Sequence, residues 1–208
     1  MSAGELSRSL VGAFQRFTLT FAQTCVLPFV ENELITAYLG IGSNLGDRAG
    51  NLLLGVRGLL EASFHVAKLS AIYETEPVGI DSATTFLNMA AEVRSANITP
   101  SQMMARMLRI EYLLGRREKS EKRPRTIDLD LLFYAHDRLD TPFLTLPHPR
   151  LHLRRFVLVP LAEIAPDFVH PILHKNVRTL LTETQDTSLV ARWNPNTVKR
   201  LNLSQSSL

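Results

Sequence analysis

The sequence predicts an α+β fold: an antiparallel sheet with helices packed on it, its elements in the order βαββαβ. Three observations predict it. Strand patterns recur near residues 34–41, 66–75, 84–95 and 126–134. Helical periodicity fills 48–62 and 99–114 between them. The composition, 45% hydrophobic and 21% charged over 208 residues, suits one sizeable globular domain with tails. The order is the ferredoxin-like one, with two helices on one face of the sheet.

Each element has a local reason. Residues 34–41 form an apolar run that reads as a buried strand. It leads into Gly42-Ser43-Asn44-Leu45-Gly46-Asp47. Leu45 stands where a dinucleotide fingerprint needs glycine, and Asp47-Arg48 stand where a Walker motif needs Lys-Ser/Thr. A tight strand-to-helix turn is the better reading. Asp47 can cap the next helix, with Leu52, Val56, Leu59 and Leu60 inward. Gly50, Gly55 and Gly58 make that helix poor on its own, so packing must hold it.

The second strand, 66–75, stops at Glu76-Pro77-Val78-Gly79. On the third, Leu87, Met89, Ala91 and Val93 share one face, and Phe86 and Asn88 the other. A lone asparagine on a strand is usually a satisfied structural amide, and the residues alone favour that reading. Beside an aromatic it could instead read the edge of a planar heterocycle. Thr99-Pro100-Ser101-Gln102 is a strong helix start, and Gly115 stops that helix. Met104, Met107, Leu108 and Glu111 fall on one face. Glu111 therefore either reaches solvent at the face edge or is a partly buried carboxylate at a site.

The fourth strand carries the chemistry. Ile127, Leu129, Leu131 and Phe133 alternate with Thr126, Asp128, Asp130, Leu132 and Tyr134. The second face thus holds two carboxylates with Cα atoms roughly 6–7 Å apart. Half-buried anions that close need positive charge, and a hard divalent cation supplies it. Just upstream, Arg116, Arg117, Lys119, Lys122, Arg123 and Arg125 outnumber Glu118 and Glu121. A solvated charged loop is one reading of that stretch. With Asp128 and Asp130 added, a polyphosphate with its magnesium fits better. A proline-bracketed turn at 144–150 then presents His148, which reads equally as a surface residue or a catalyst. Arg150, Arg154 and Arg155 follow, then an apolar helical stretch at 156–164 and a closing segment from His170-Pro171.

Three regions result: an extension at 1–33, a domain at 34–185, and a polar tail at 186–208. The extension has an uncharged run at 17–30, too short to span a membrane. It faintly resembles an organellar presequence, but an accessory segment is the preferred reading. A net charge of +3 does not by itself imply nucleic acid. Cys25 is the only cysteine, which excludes an internal disulfide and points to a reducing compartment.

Five segments in order resemble the 6-hydroxymethyl-7,8-dihydropterin pyrophosphokinase family. They are residues 39–46, 73–79, 86–88, 124–130, and 146–150 continuing through Arg154-Arg155-Phe156. Arg125-Thr126-Ile127-Asp128-Leu129-Asp130 is the most specific of them. The resemblance implies transfer of diphosphate from ATP to the pterin hydroxymethyl group, in folate biosynthesis. It implies two magnesium ions on Asp128 and Asp130, and ATP phosphates on Arg116, Arg125, His148 and Arg154. Glu111 matches a family glutamate near the nucleotide. Thr75, Val78, Phe86, Asn88 and Phe156 would form the pterin pocket, which moves Asn88 to the functional reading. The basic loop is one residue shorter than the family form and lacks its Trp, and Arg123 replaces a Gly. The expected setting is a cytoplasmic monomer with small-molecule substrates and neither nucleic acid nor membrane as partner.

Two other classes share features with this chain. An RNA-recognition module has the same element order, but residues 84–95 lack its Gly-Phe-rich signature. Two aspartates on its open sheet face would also repel phosphate. A two-metal phosphodiesterase also uses paired aspartates, and would hydrolyse a phosphodiester with no pterin present.

Overall fold

The computed structural model describes residues 34–76, 85–116 and 124–195. The extension, Val78 and residues 117–123 of the basic loop lie outside the described residues. The strands are β1 (Ile35–Ser43), β2 (His65–Leu69), β3 (Tyr73–Thr75), β4 (Phe86–Ser95), β5 (Asp128–Tyr134), β6 (Leu139–Asp140), β7 (Thr145–Leu146) and β8 (Val190–Arg192). The helices are α1 (Arg48–Glu61), α2 (Pro100–Leu113), α3 (Arg155–Ile164) and α4 (Val177–Glu183). The main sheet has the order β5-β1-β4-β3-β8, with β2 also on β4, and every pairing in it is antiparallel. This is the expected α+β, ferredoxin-like architecture with further elements added. Among the described residues no helix is long and apolar enough to cross a membrane.

One face of the sheet builds the larger core. Leu39 and Ile41 of β1, Leu87, Met89, Ala91 and Val93 of β4, and Leu129 and Leu131 of β5 are buried with Leu52 and Leu59 of α1 and Met103 and Met107 of α2. The caps stand as expected. Asp47 accepts from the Gly50 N–H at 3.0 Å, and Thr99 and Gln102 close a reciprocal capping box. The glycines of α1 have a packing reason. A Cβ on Gly55 would lie 3.0 Å from Ile127 Cδ1, and one on Gly58 would lie 2.6 Å from Ile110 Cγ2. They let α1 approach the Asp-bearing strand and α2 more closely than any larger residue would.

The expected inward faces shift slightly. Leu60 is 55% exposed, and Gly55 takes a buried place beside Leu52 and Leu59. On α2 the buried set is Met103, Met107, Ile110 and Glu111, with Leu108 exposed. The apolar stripe on each helix was wider than the buried one, and periodicity alone does not choose its centre.

The strand expected over 66–75 is two strands. Between them the Ser70 hydroxyl accepts from the Ala90 N–H at 2.9 Å, and the Ser70 N–H donates to the Ala90 carbonyl at 2.9 Å. A side-chain oxygen thus takes the place of a ladder carbonyl, and the chain turns there. The tail expected from residue 186 also joins the sheet. Val190–Arg192 pairs with β3, and Trp193 packs against the larger core.

The second face carries two further helices. Part of it is covered by α3 and α4, which bury Tyr38, Ala90, Leu132 and Phe133 in a second core. A bulge makes this possible. Opposite Tyr38 and Leu39 the register skips from Phe133 to Leu131, so Leu132 and Phe133 both turn to the second core. That reverses the expected faces of Phe133 and Tyr134. Phe133 meets Phe168 with ring centroids 4.7 Å apart, while Tyr134 enters the first core and donates its hydroxyl to the Ile98 carbonyl.

Gly58→Ala tests the close approach of α1 and α2. Alanine adds up to about 1 kcal/mol of helix propensity. Overpacking against the branched Ile110 costs about 1–3 kcal/mol, so a net loss of stability is expected by chemical denaturation. A raised unfolding midpoint would mean the helices part without cost.

Candidate active site

Where α3 and α4 leave it uncovered, the second face floors a cavity of about 670 Å³, which Phe156, Val157 and Pro160 of α3 help to line. The register decides what lines it. Gly42 of β1 pairs with Asn88 on one side and Asp128 on the other. Gly40 likewise lies between Ala90 and Asp130. A Cβ on Gly42 would sit 2.8 Å from Asn88 Oδ1 and 3.9 Å from Asp128 Cβ. Gly40 and Gly42 therefore keep the floor bare between an amide and two carboxylates. They belong to the strand, and Gly46, at φ +65°, lies in the turn that follows it.

At one end the cavity is lined by Thr75, Phe86, Asn88 and Phe156. Asn88 is buried, and its Nδ2 donates to Thr75 Oγ1 at 2.7 Å. That bond fixes which way the amide points. The Arg154 guanidinium lies over the Phe156 ring, 5.6 Å from its centroid. Four of the five residues expected to surround a heterocycle thus stand together, and Val78 falls outside the described residues.

The other end is charged. Asp128 Oδ2 accepts from Arg125 Nη1 at 2.7 Å, and Asp128 Oδ1 accepts from Arg116 Nη1. Arg116 Nη1 also donates to Glu111 Oε1, which in turn accepts the Leu129 N–H at 2.7 Å. Glu111 is only 3% exposed, and burial pushes its carboxyl above the usual range. Of its two sequence readings, the buried carboxylate is the one found. Its oxygen bonds the backbone midway between Asp128 and Asp130 and so locks the strand that carries them. Burial works against the Arg116 charge, but Asp128 and Glu111 outweigh it and hold that guanidinium firmly protonated.

Asp130 sits deeper. Burial first, then the adjacent Asp128 charge, push its carboxyl up to about 7, against the pull of Arg154 and Arg125. His148 shares the cavity, and its Nδ1 accepts from the Arg150 N–H at 3.2 Å. Burial, then Arg154 and Arg150, bring its imidazole down to about 4. At neutral pH it is an uncharged ring whose proton rests on Nε2. It offers a hydrogen bond and no positive charge.

Sequence reasoning gave Asn44 no role, although it lies inside a quoted motif. Asn44 is 1% exposed. Its Oδ1 accepts from the Arg125 N–H at 2.7 Å, and its own N–H donates to the Arg125 carbonyl at 3.2 Å. The turn after β1 thereby fixes where Arg125 stands. Its signal was a short polar residue directly after a buried strand, where backbone capture is common.

Comparison with known proteins agrees with the geometry. The family model for 7,8-dihydro-6-hydroxymethylpterin-pyrophosphokinase (HPPK) matches residues 38–166. A 2-amino-4-hydroxy-6-hydroxymethyldihydropteridine pyrophosphokinase of Aquifex aeolicus is 34% identical over 150 residues, covering 72% of this chain and 92% of that one. The Bacillus subtilis protein of the same name is 43% identical over 129 residues, covering 62% and 77%. Among solved structures, Plasmodium falciparum HPPK-DHPS with pteroate superposes with a TM-score of 0.59 at 16% identity. That match covers 74% of this chain but only 45% of the Plasmodium chain, and it speaks for the fold alone. The family model and the two pyrophosphokinases, together with the Asn88–Gly42–Asp128 row, place this chain in the 7,8-dihydro-6-hydroxymethylpterin-pyrophosphokinase family.

Proposed function

We infer that this chain is an ATP-dependent pyrophosphokinase of folate biosynthesis. It transfers diphosphate from ATP to the hydroxymethyl oxygen of 6-hydroxymethyl-7,8-dihydropterin and releases AMP. One observation carries the reading beyond family membership. A single cavity has an amide and two phenylalanines at one end and carboxylates and arginines at the other, with the bare Gly42 between them. The first end suits a flat heterocycle with donors and acceptors on its edge, and the second suits a polyphosphate.

The pterin lies between Phe86 and Phe156, with Asn88 and Thr75 at its edge. Its hydroxyl oxygen is the nucleophile and attacks the β-phosphorus of ATP. The bond from that phosphorus to the oxygen bridging the α-phosphate breaks, and AMP leaves with that oxygen. The protein holds the reacting atoms in line and spreads charge. Arg116, Arg125 and Arg154 do this by their fixed forks, and neutral His148 by its Nε2–H. Glu111 acts from behind, by orienting Arg116.

Asp128 and Asp130 suit two magnesium ions. Asp128 already holds Arg116 and Arg125, but Asp130, raised to about 7 by burial and by the Asp128 charge, is short of positive charge. No group of three or more His, Cys, Asp or Glu side chains is gathered for a metal among the described residues. Magnesium is commonly held by one or two carboxylates plus phosphate oxygens and water, so a pair suffices. Bound there, magnesium would neutralise ATP phosphate oxygens. A cytoplasmic monomer is the proposed setting. The lone Cys25 supports the reducing compartment.

Two outcomes are expected. Asp128→Ala and Asp130→Ala should each lower kcat by at least about a hundredfold, the scale of losing a preorganised electrostatic group, while circular dichroism stays native. Near-normal turnover in either would remove the metal assignment. ATP labelled at the γ-phosphate should deliver its label to the pterin, with one AMP formed per pterin consumed. Stoichiometric ADP, or a labelled enzyme formed without pterin, would exclude this displacement.

A further inference from the structure

Behind the heterocycle end of the cavity, on the side of the sheet facing α1, three residues close a ring. Arg48 Nη1 donates to the Thr85 carbonyl at 2.8 Å and to Thr85 Oγ1 at 2.6 Å. Arg48 Nη2 lies 3.0 Å from Glu74 Oε1, and Thr85 Oγ1 donates to that same oxygen at 2.6 Å. Arg48 is the first residue of α1, Glu74 is the middle residue of β3, and Thr85 immediately precedes β4. One guanidinium thus joins three separate pieces of chain. Its side chain is 20% exposed, so water screens these bonds only in part.

The ring matters because of what its neighbours do. Thr75 follows Glu74 and Phe86 follows Thr85, and Thr75 and Phe86 face each other as the last pair of the β3–β4 ladder. That ladder has only three residue pairs. It is too short to hold its end firmly by backbone bonds alone. Alternation places Glu74 on the α1 side of the sheet and Thr75, Phe86 and Asn88 on the cavity side. Arg48 itself does not line the cavity. Anything it does for a ligand passes through Thr75 and Phe86.

We propose that Arg48 is a positioning residue for the pterin: by clamping Glu74 and Thr85 from behind, it sets the Phe86 ring and the Thr75 hydroxyl that orients Asn88. This rests on the assignment of that cavity end to the pterin. The clamp acts on one substrate only, because the arginines and carboxylates of the phosphate end hang on Asn44, Glu111 and β5 instead.

Steady-state kinetics with each substrate varied in turn, on Arg48→Ala, Glu74→Ala, the double variant and Asn88→Ala, tests it. Arg48→Ala should raise the pterin KM about tenfold, the scale of one lost charge-assisted contact, with the ATP KM within about twofold of the parent. The double variant should be no worse than Arg48→Ala, because both residues act through one ring. Arg48→Lys keeps the charge opposite Glu74 but loses the second prong on Thr85, and should lie between. It carries the test if Arg48→Ala does not fold. An unchanged pterin KM in Arg48→Ala, or equal rises in both KM values, would overturn the clamp. If Asn88→Ala raises the pterin KM while Arg48→Ala does not, the clamp fails and the pocket stands. If neither variant moves it, the pocket assignment fails and takes the clamp with it.

Discussion

Asp128 and Asp130 share one face of β5, and the alternation that buries Leu129 and Leu131 beneath them holds them there. Two half-buried carboxylates that close oppose folding unless positive charge is brought to them. Much of the local structure answers that demand. Arg116 and Arg125 reach Asp128, and Arg154 and Arg125 bear on Asp130. Glu111 holds Arg116 and the Leu129 amide at once, and Asn44 holds the Arg125 backbone. A site arranged in this way is set for cations and anions together, which is the character of a nucleotide with its metal.

The floor follows from the same constraint. With carboxylates on β5 and an amide on β4, the strand between them must leave room, and Gly40 and Gly42 do so. The bulge at Leu132 then divides the second face. Beyond it Leu132, Phe133 and Tyr38 are buried beside α3 and α4, and before it the face stays open as the cavity. A single inserted residue thus separates the part of the sheet that stabilises from the part that binds.

Much of this was legible in the sequence, for identifiable reasons. Cap residues act within a few positions of themselves, so Asp47 and Thr99 could be read directly. The carboxylate pair was visible because strand alternation is strict over four residues. Over seven it is not, and Phe133 and Tyr134 exchanged faces at a bulge with no local signature. Ser70 broke a strand by giving its hydroxyl to a distant amide, which no pattern within 66–75 announces. β8 is three residues of modest character and exists because β3 offers an edge. At the site, residue types pointed to the chemistry but not to their ionisation. His148 read equally as a surface residue or a catalyst, and only its burial beside Arg154 and Arg150 shows that it is neutral. Asn44 and Arg48 were invisible because their partners lie 81 and 37 residues away.

The most direct measurement is a crystal structure with magnesium, a non-hydrolysable ATP analogue and the pterin. Density for two cations held by Asp128 and Asp130 is expected, with the triphosphate across Arg116, Arg125, His148 and Arg154 and the pterin between Phe86 and Phe156. Cations bound away from both aspartates, with the two carboxylates still facing only arginine, would contradict it.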